Sequence, residues 1–269
     1  MSEAALETLL RRDRVIVGTA LAVITVAAWL YLLHLTSAMS DMAMPDMPTM
    51  PGMALAMPAL HAWSWIEVGL LAVVWTVMMI AMMMPAAAPM ILMFSTIHRR
   101  RRAEGRPAVP AAIFIFGYLV VWTIYSVAAA LAQAGLHAAA LLSPAMAATS
   151  PLLAGGLLVA GGVFQWTPLK RACLAACRSP LSFLMTGWRE GRAGAFVMGL
   201  RHGLYCLGCC WALMALLFVA GVMNLLGVAA IAVVVLVEKV VPRGDLVGRL
   251  VGVLLIAVGV LLVARGVTG

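Results

Sequence analysis

Charge is the scarcest resource in this sequence. Asp, Glu, Lys and Arg together make up 10% of its 269 residues, against 65% hydrophobic ones. Soluble domains carry about a quarter charged residues, so the soluble fold classes drop out. The ten acidic residues avoid the middle of every long apolar run, which argues against a proton relay of intramembrane carboxylates. No G-x-x-x-x-G-K-[ST] stretch occurs, so the chain itself does not bind ATP through a P-loop. Five cysteines with no evident extracellular pairing give no disulfide framework. The net charge of +8 does not point to nucleic acid. The basic residues sit in short segments between apolar runs, where they set membrane orientation instead.

Apolar runs of 18 or more residues recur, and mean hydropathy is +1.08. That is the pattern of membrane-crossing helices. The expected fold is an all-α polytopic transmembrane helix bundle forming one domain over residues 1–269. About seven spans are expected, near 15–33, 65–94, 109–131, 152–166, 194–222, 225–241 and 246–264. The first run is too long for the apolar core of a signal peptide. Arg11, Arg12 and Arg14, the H-R-R-R-R-A-E-G-R block from His98, and Lys170, Arg171, Arg178, Arg189 and Arg192 mark one side. They place the N-terminus inside, in a bacterial inner membrane with the lipid bilayer as surroundings. Residues 34–64 then form an outer loop. Residues 167–193 form a cytoplasmic loop carrying Cys173, Cys177 and an interfacial helix around Leu181–Trp188. Glu238 and Lys239 fall to the cytoplasmic side, after the sixth span.

Methionine is abundant. Six of the twenty lie between Trp75 and Met90, at positions 78, 79, 82, 83, 84 and 90. Residues three and four apart share a helix face, so Met79, Met82 and Met83 align. Pro85 then has no N–H for the carbonyl of Ala81, and Pro89 none for that of Pro85. A bent or partly unwound segment is expected there, with protein or a cavity taking up the freed carbonyls. The plainer explanation is core or lipid-facing Met, which packs adaptably.

The outer loop holds seven more methionines, at 39, 42, 44, 47, 50, 53 and 57, with Asp41, Asp46 and His61. Its prolines exclude a continuous helix. Thioethers select Cu(I), so Met44, Met47, Met50 and His61 are candidate ligands, and His34 or His137 would help gather the ion. A low-complexity linker is the competing explanation.

The fifth span carries the second constellation. His202, Cys206, Cys209, Cys210 and Met214 follow helical spacing and share one face. Imidazole, thiolate and thioether together suit Cu(I), with zinc as second candidate. Buried cysteines also serve as small hydrophobes. Turned toward Met79, Met82 and Met83, this face would complete one buried soft-metal site.

The two stretches W-T-V-M-M-I-A-M-M-M-P-A-A-A-P-M and G-L-R-H-G-L-Y-C-L-G-C-C-W-A-L-M together resemble a bacterial family of predicted metal-binding integral membrane proteins. The resemblance runs from about Trp65 to the C-terminus. It implies Met79, Met82, Met83, Met84, Pro85, His202, Cys206, Cys209 and Cys210 as a shared core, and a metal without saying which. It does not extend to the Met-rich loop. The expected function is copper(I) handling by binding, transfer or transport, alongside other membrane subunits or a periplasmic metal carrier, and not catalysis. Two alternatives stand beside it: a thiol/quinone oxidoreductase using Cys206-x-x-Cys209, and a non-catalytic subunit of a membrane complex.

Overall fold

The computed structural model describes residues 3–42, 63–105, 109–142 and 147–268. The described residues form ten helices and no strand: α1 (Glu3–Met42), α2 (Trp65–Ala103), α3 (Ala111–Ala138), α4 (Pro151–Phe164), α5 (Pro168–Arg178), α6 (Pro180–Gly187), α7 (Gly191–Ala215), α8 (Leu217–Ala220), α9 (Leu225–Val240) and α10 (Gly244–Thr268). Among the described residues, five single stretches are long and apolar enough to cross a membrane, Val15–Ala38, Trp65–Arg101, Ala111–Ala138, Gly191–Ala220 and Gly244–Val267, and α4 with α5, bent by 63°, make a sixth if they count as one broken span. The expectation of seven also counted α4 and α9. They have 14 and 16 residues, short of the ~20 that an upright crossing takes.

The methionine-rich α2 lies at the centre. It packs against α1, α3 and α9, and Met78, Met79, Met82, Met83, Met84 and Met90 are all at most 1% exposed. None of them faces outward, which removes the lipid-facing explanation for this run.

The unwinding expected as one outcome at Pro85 is absent. α2 runs through Pro85 and Pro89 as one helix of 39 residues. The freed carbonyl is satisfied from the neighbouring helix: the indole N–H of Trp29 on α1 donates to Ala81 O at 3.2 Å. Tyr118 on α3 donates to the carbonyl of Met83 at 3.3 Å. Trp29 therefore replaces the donor that Pro85 removes, and Tyr118 adds a second bond from outside the helix close by. Trp29→Phe keeps the ring and deletes only the donor. It should lower stability by about 1–3 kcal/mol, the cost of an orphaned buried acceptor. Thermal unfolding in detergent reads this, and an unchanged midpoint would show that the carbonyl finds another partner.

The pairing of α3 with α7 sets the depth of the site. Gly199 lies against the carbonyl of Phe114, and Gly117 lies against that of Phe196. A Cβ at either position would overlap the opposite backbone. Small residues of this kind let membrane helices approach closely, and here they bring Tyr118 onto the cysteine face of α7.

The segment expected as a cytoplasmic loop is largely helical. Ser150 caps α4 by accepting from Leu153 N, with Pro151 at the first helical position. Thr167 caps α5 by accepting from Lys170 N, with Pro168 at the first position. Between the two helices the chain turns by 63°, which lays α5 against α7. In α6, Phe183 and Leu184 are buried, so this patch packs into the protein as well as facing outward.

Candidate metal centre

Four elements bring chemistry to α7. His202, Cys206, Cys209, Cys210 and Met214 are all at most 2% exposed. The thiols of Cys209 and Cys210 both donate to the carbonyl of Cys206, at 3.0 and 2.9 Å. That carbonyl therefore gathers two sulfurs beside a third.

Cys206 Sγ has partners of its own. The Tyr118 hydroxyl lies 3.1 Å away, and the Lys239 ammonium donates to the sulfur at 2.9 Å. Lys239 sits near the end of α9 and is 9% exposed. Its sequence neighbour Glu238 does not neutralise it. Glu238 is instead held by Lys170 of α5, at 2.6 Å, with both side chains buried. The ammonium of Lys239 therefore faces sulfur in a dry interior, where an uncompensated charge is costly. A thiolate at Cys206 would find its counter-charge there.

The second span contributes Met83. Its Sδ lies 4.0 Å from Cys210 Sγ. Two sulfurs at that separation, each bonded to one metal at ~2.3 Å, subtend an angle of about 120°. Met79 and Met82 lie in the same buried core, but Met83 is the methionine seen to touch a cysteine thiol.

α5 contributes what was expected to stay on the cytoplasmic side. Cys173 Sγ lies over Gly208 of α7, 2.7 Å from where a Cβ would stand. Cys177 lies one turn further along the same face of α5, which packs against α7. All five cysteines are free thiols, and they converge on a few turns of α7.

His202 completes the buried set. It stacks on Tyr118 with centroids 5.5 Å apart and lies against Phe114 and Phe183. Among the described residues neither ring nitrogen has a hydrogen-bond partner, unusual for a buried imidazole. Among the described residues no three His, Cys, Asp or Glu side chains stand as a closed ligand set. The thiols of Cys209 and Cys210 are turned to a carbonyl instead, so a bound ion would take them from that bond.

Met44, Met47, Met50 and His61 lie outside the described residues. His34 is exposed on α1, and His137 lies against Trp63 at 4.9 Å. Sequence reasoning missed Lys239, Tyr118 and Cys177 as parts of the site. The available signals were a lysine immediately after an apolar run and a cysteine four residues after Cys173.

The profile of the PpoB2 copper chaperone family matches residues 72–262. The chain belongs to that family. The matched region contains the methionine run, all five cysteines, Tyr118 and Lys239, and leaves out the Met-rich stretch 34–64. Copper handling by a member of this family agrees with the soft character of the donors. Searches of curated proteins and of solved structures return no match.

Proposed function

We propose that the chain holds Cu(I) between α2 and α7 and hands it on without ATP. The observation that carries this is Met83 Sδ at 4.0 Å from Cys210 Sγ, one turn along α7 from Cys206 Sγ, which takes the Lys239 ammonium at 2.9 Å. Thiolates and a thioether select a soft ion. Cys206 and Cys209 would be the principal ligands, with Cys210 and Met83 adjoining and His202 at one end. Met79, Met82 and Met214 extend the soft lining, and the Met-rich loop with Met44, Met47, Met50 and His61 would collect the ion outside. Zinc fits less well, because a divalent ion on two thiolates would leave Lys239 as an unbalanced charge.

We place the chain in a bacterial inner membrane with its N-terminus inside. α4 and α9 serve as short fourth and sixth crossings, packed against α10 and α2. The basic residues of the inner segments support this orientation. A C-terminal reporter active only outside the cytoplasm should light up; activity inside instead reverses it.

Protein purified in detergent under reducing conditions should carry about one Cu(I) per chain and prefer it to zinc. Metal analysis with a chelator competition measures this. Absence of copper at any loading ratio would leave the cysteines as core packing. A second reading is thiol oxidation by a quinone, favoured by one observation: α5, which carries Cys173 and Cys177, packs against the α7 segment with the Cys206-x-x-Cys209 pair, with Cys173 Sγ over Gly208. A quinone-dependent loss of two free thiols per chain would favour that reading over copper.

A further inference from the structure

Arg201 carries a charge into the Gly191–Ala220 stretch, and the metal centre does not use it. An ionisable residue inside a membrane span is costly and marks function. Among the described residues Arg201 has no carboxylate partner. Its guanidinium reaches across to α6 instead. Cζ lies 5.8 Å from the ring centroid of Phe183, and Nη1 lies 2.7 Å from where a Cβ at Gly187 would stand. Tyr205, one turn further along α7, meets the same Phe183 edge to face at 6.0 Å. These three side chains line a cavity of about 300 Å³, together with Ser179, Ser182 and Thr186 of the α6 segment. The three hydroxyls follow helical spacing, and that of Ser179 makes no capping bond. A guanidinium among hydroxyls is the donor set that an oxyanion takes, and arginine fits phosphate with two parallel bonds. The adjoining cavity differs. Its Arg178 is already taken by the carbonyl of Val241, at 2.7 Å, and faces Asp245.

Beside this cavity the same two helices present large apolar side chains outward. Leu181 and Met185 on α6 are 57% and 72% exposed, and Leu204 on α7, three residues after Arg201, is 59% exposed. A free ion gains nothing from them, whereas acyl chains do. We propose that the cavity binds the phosphate of an anionic phospholipid. Arg201 holds the phosphate, the Ser179, Ser182 and Thr186 hydroxyls stand beside it, and the acyl chains lie along Leu181, Met185 and Leu204. Basic pockets of this kind between membrane helices on the cytoplasmic side suit anionic headgroups. The lipid supplies the counter-charge that the protein does not give Arg201. It also ties α6 to the part of α7 that carries His202 and Cys206. The site needs the membrane placement given above but not the copper reading, and its test reads lipid choice in detergent whichever way the chain is oriented.

Full-length protein in a mild detergent, offered equal amounts of dioleoyl phosphatidylglycerol and dioleoyl phosphatidylcholine, is weighed intact by native mass spectrometry, with thermal unfolding alongside. Wild type should keep about one phosphatidylglycerol per chain and prefer it by about tenfold, one decade in Kd. Arg201→Gln should fold and lower that preference to under about threefold. Arg171→Gln is the control, because Arg171 is exposed and lines only the adjoining cavity. It should leave the preference in place. An equal loss in Arg171→Gln makes the preference one of general surface charge and overturns the site. Equal retention of the two lipids by wild type overturns it as well. Inorganic phosphate that displaces the lipid mole for mole makes the cavity a free-oxyanion site and overturns the lipid assignment. Should Arg201→Gln fail to fold, Ser179→Ala combined with Ser182→Ala decides. Both residues are exposed, and their loss should lower the preference by about threefold; an unchanged preference overturns the proposal.

Discussion

Cys206→Ser should weaken Cu(I) binding by at least about a hundredfold, roughly 2.7 kcal/mol, with little change in stability. Serine is close to cysteine in size and can still meet the Tyr118 hydroxyl and the Lys239 ammonium, which approach Cys206 Sγ at 3.1 and 2.9 Å. What it cannot supply is a thiolate, the form of cysteine that binds metal. Cys173→Ser is the informative contrast. Cys173 packs over Gly208 and is not among the proposed ligands, so copper binding by this variant should stay within about threefold of wild type, under 1 kcal/mol. Chelator competition on both variants, with thermal unfolding alongside, separates ligand loss from misfolding. Binding by Cys206→Ser at wild-type strength would mean that the lysine–sulfur contact serves packing and not metal.

The parts of the site that were legible in the sequence are those that one helix sets by itself. The spacing of His202, Cys206, Cys209 and Cys210 places them on one face whatever surrounds them, and the structure buries all four. The methionine run was legible for the same reason. Its meeting with the cysteines was expected from chemical complementarity, and the contact between Met83 and Cys210 agrees with that. Pro85 shows where local rules stop. Proline chemistry predicts a break, but the remedy is Trp29, 52 residues earlier in the chain, which no local pattern reveals.

Lys239 and Cys177 were misplaced for a different reason. A lysine at the end of an apolar run reads as an orientation marker, because the same residue type does that work in most membrane proteins. Only packing distinguishes a lysine that reaches solvent from one that turns in to a sulfur. Cys177 was assigned to a loop because α4 ends early. The caps at Ser150 and Thr167 were present in the sequence, but the 63° turn between α4 and α5, which folds α5 back onto α7, depends on tertiary contacts. Those same contacts pair Lys170 of α5 with Glu238, and so leave Lys239 to the cysteines.

That division of charges underlies the second large effect. Replacing Lys239 with Met should lower Cu(I) affinity by about a hundredfold or more and shift preference toward zinc. Cu(I) on two thiolates carries one net negative charge, which the Lys239 ammonium neutralises. Zinc on the same two thiolates is neutral, so the ammonium is then an unpaired positive charge in a buried place. Removing one partner of a buried charge pair costs about 3–5 kcal/mol, which is two decades or more in affinity. Methionine preserves length and apolar volume, so the cavity left behind is small. Glu238 is not expected to compensate, since Lys170 already holds it at 2.6 Å. Lys239→Arg is the control: it restores the charge with a bulkier head, and should recover most of the copper preference if charge is the cause. Competition titrations with Cu(I) and zinc on the three proteins give the answer directly. If Lys239→Met keeps both the affinity and the preference of wild type, the ammonium is not the counter-charge of the site, and selectivity rests on the sulfur ligands alone.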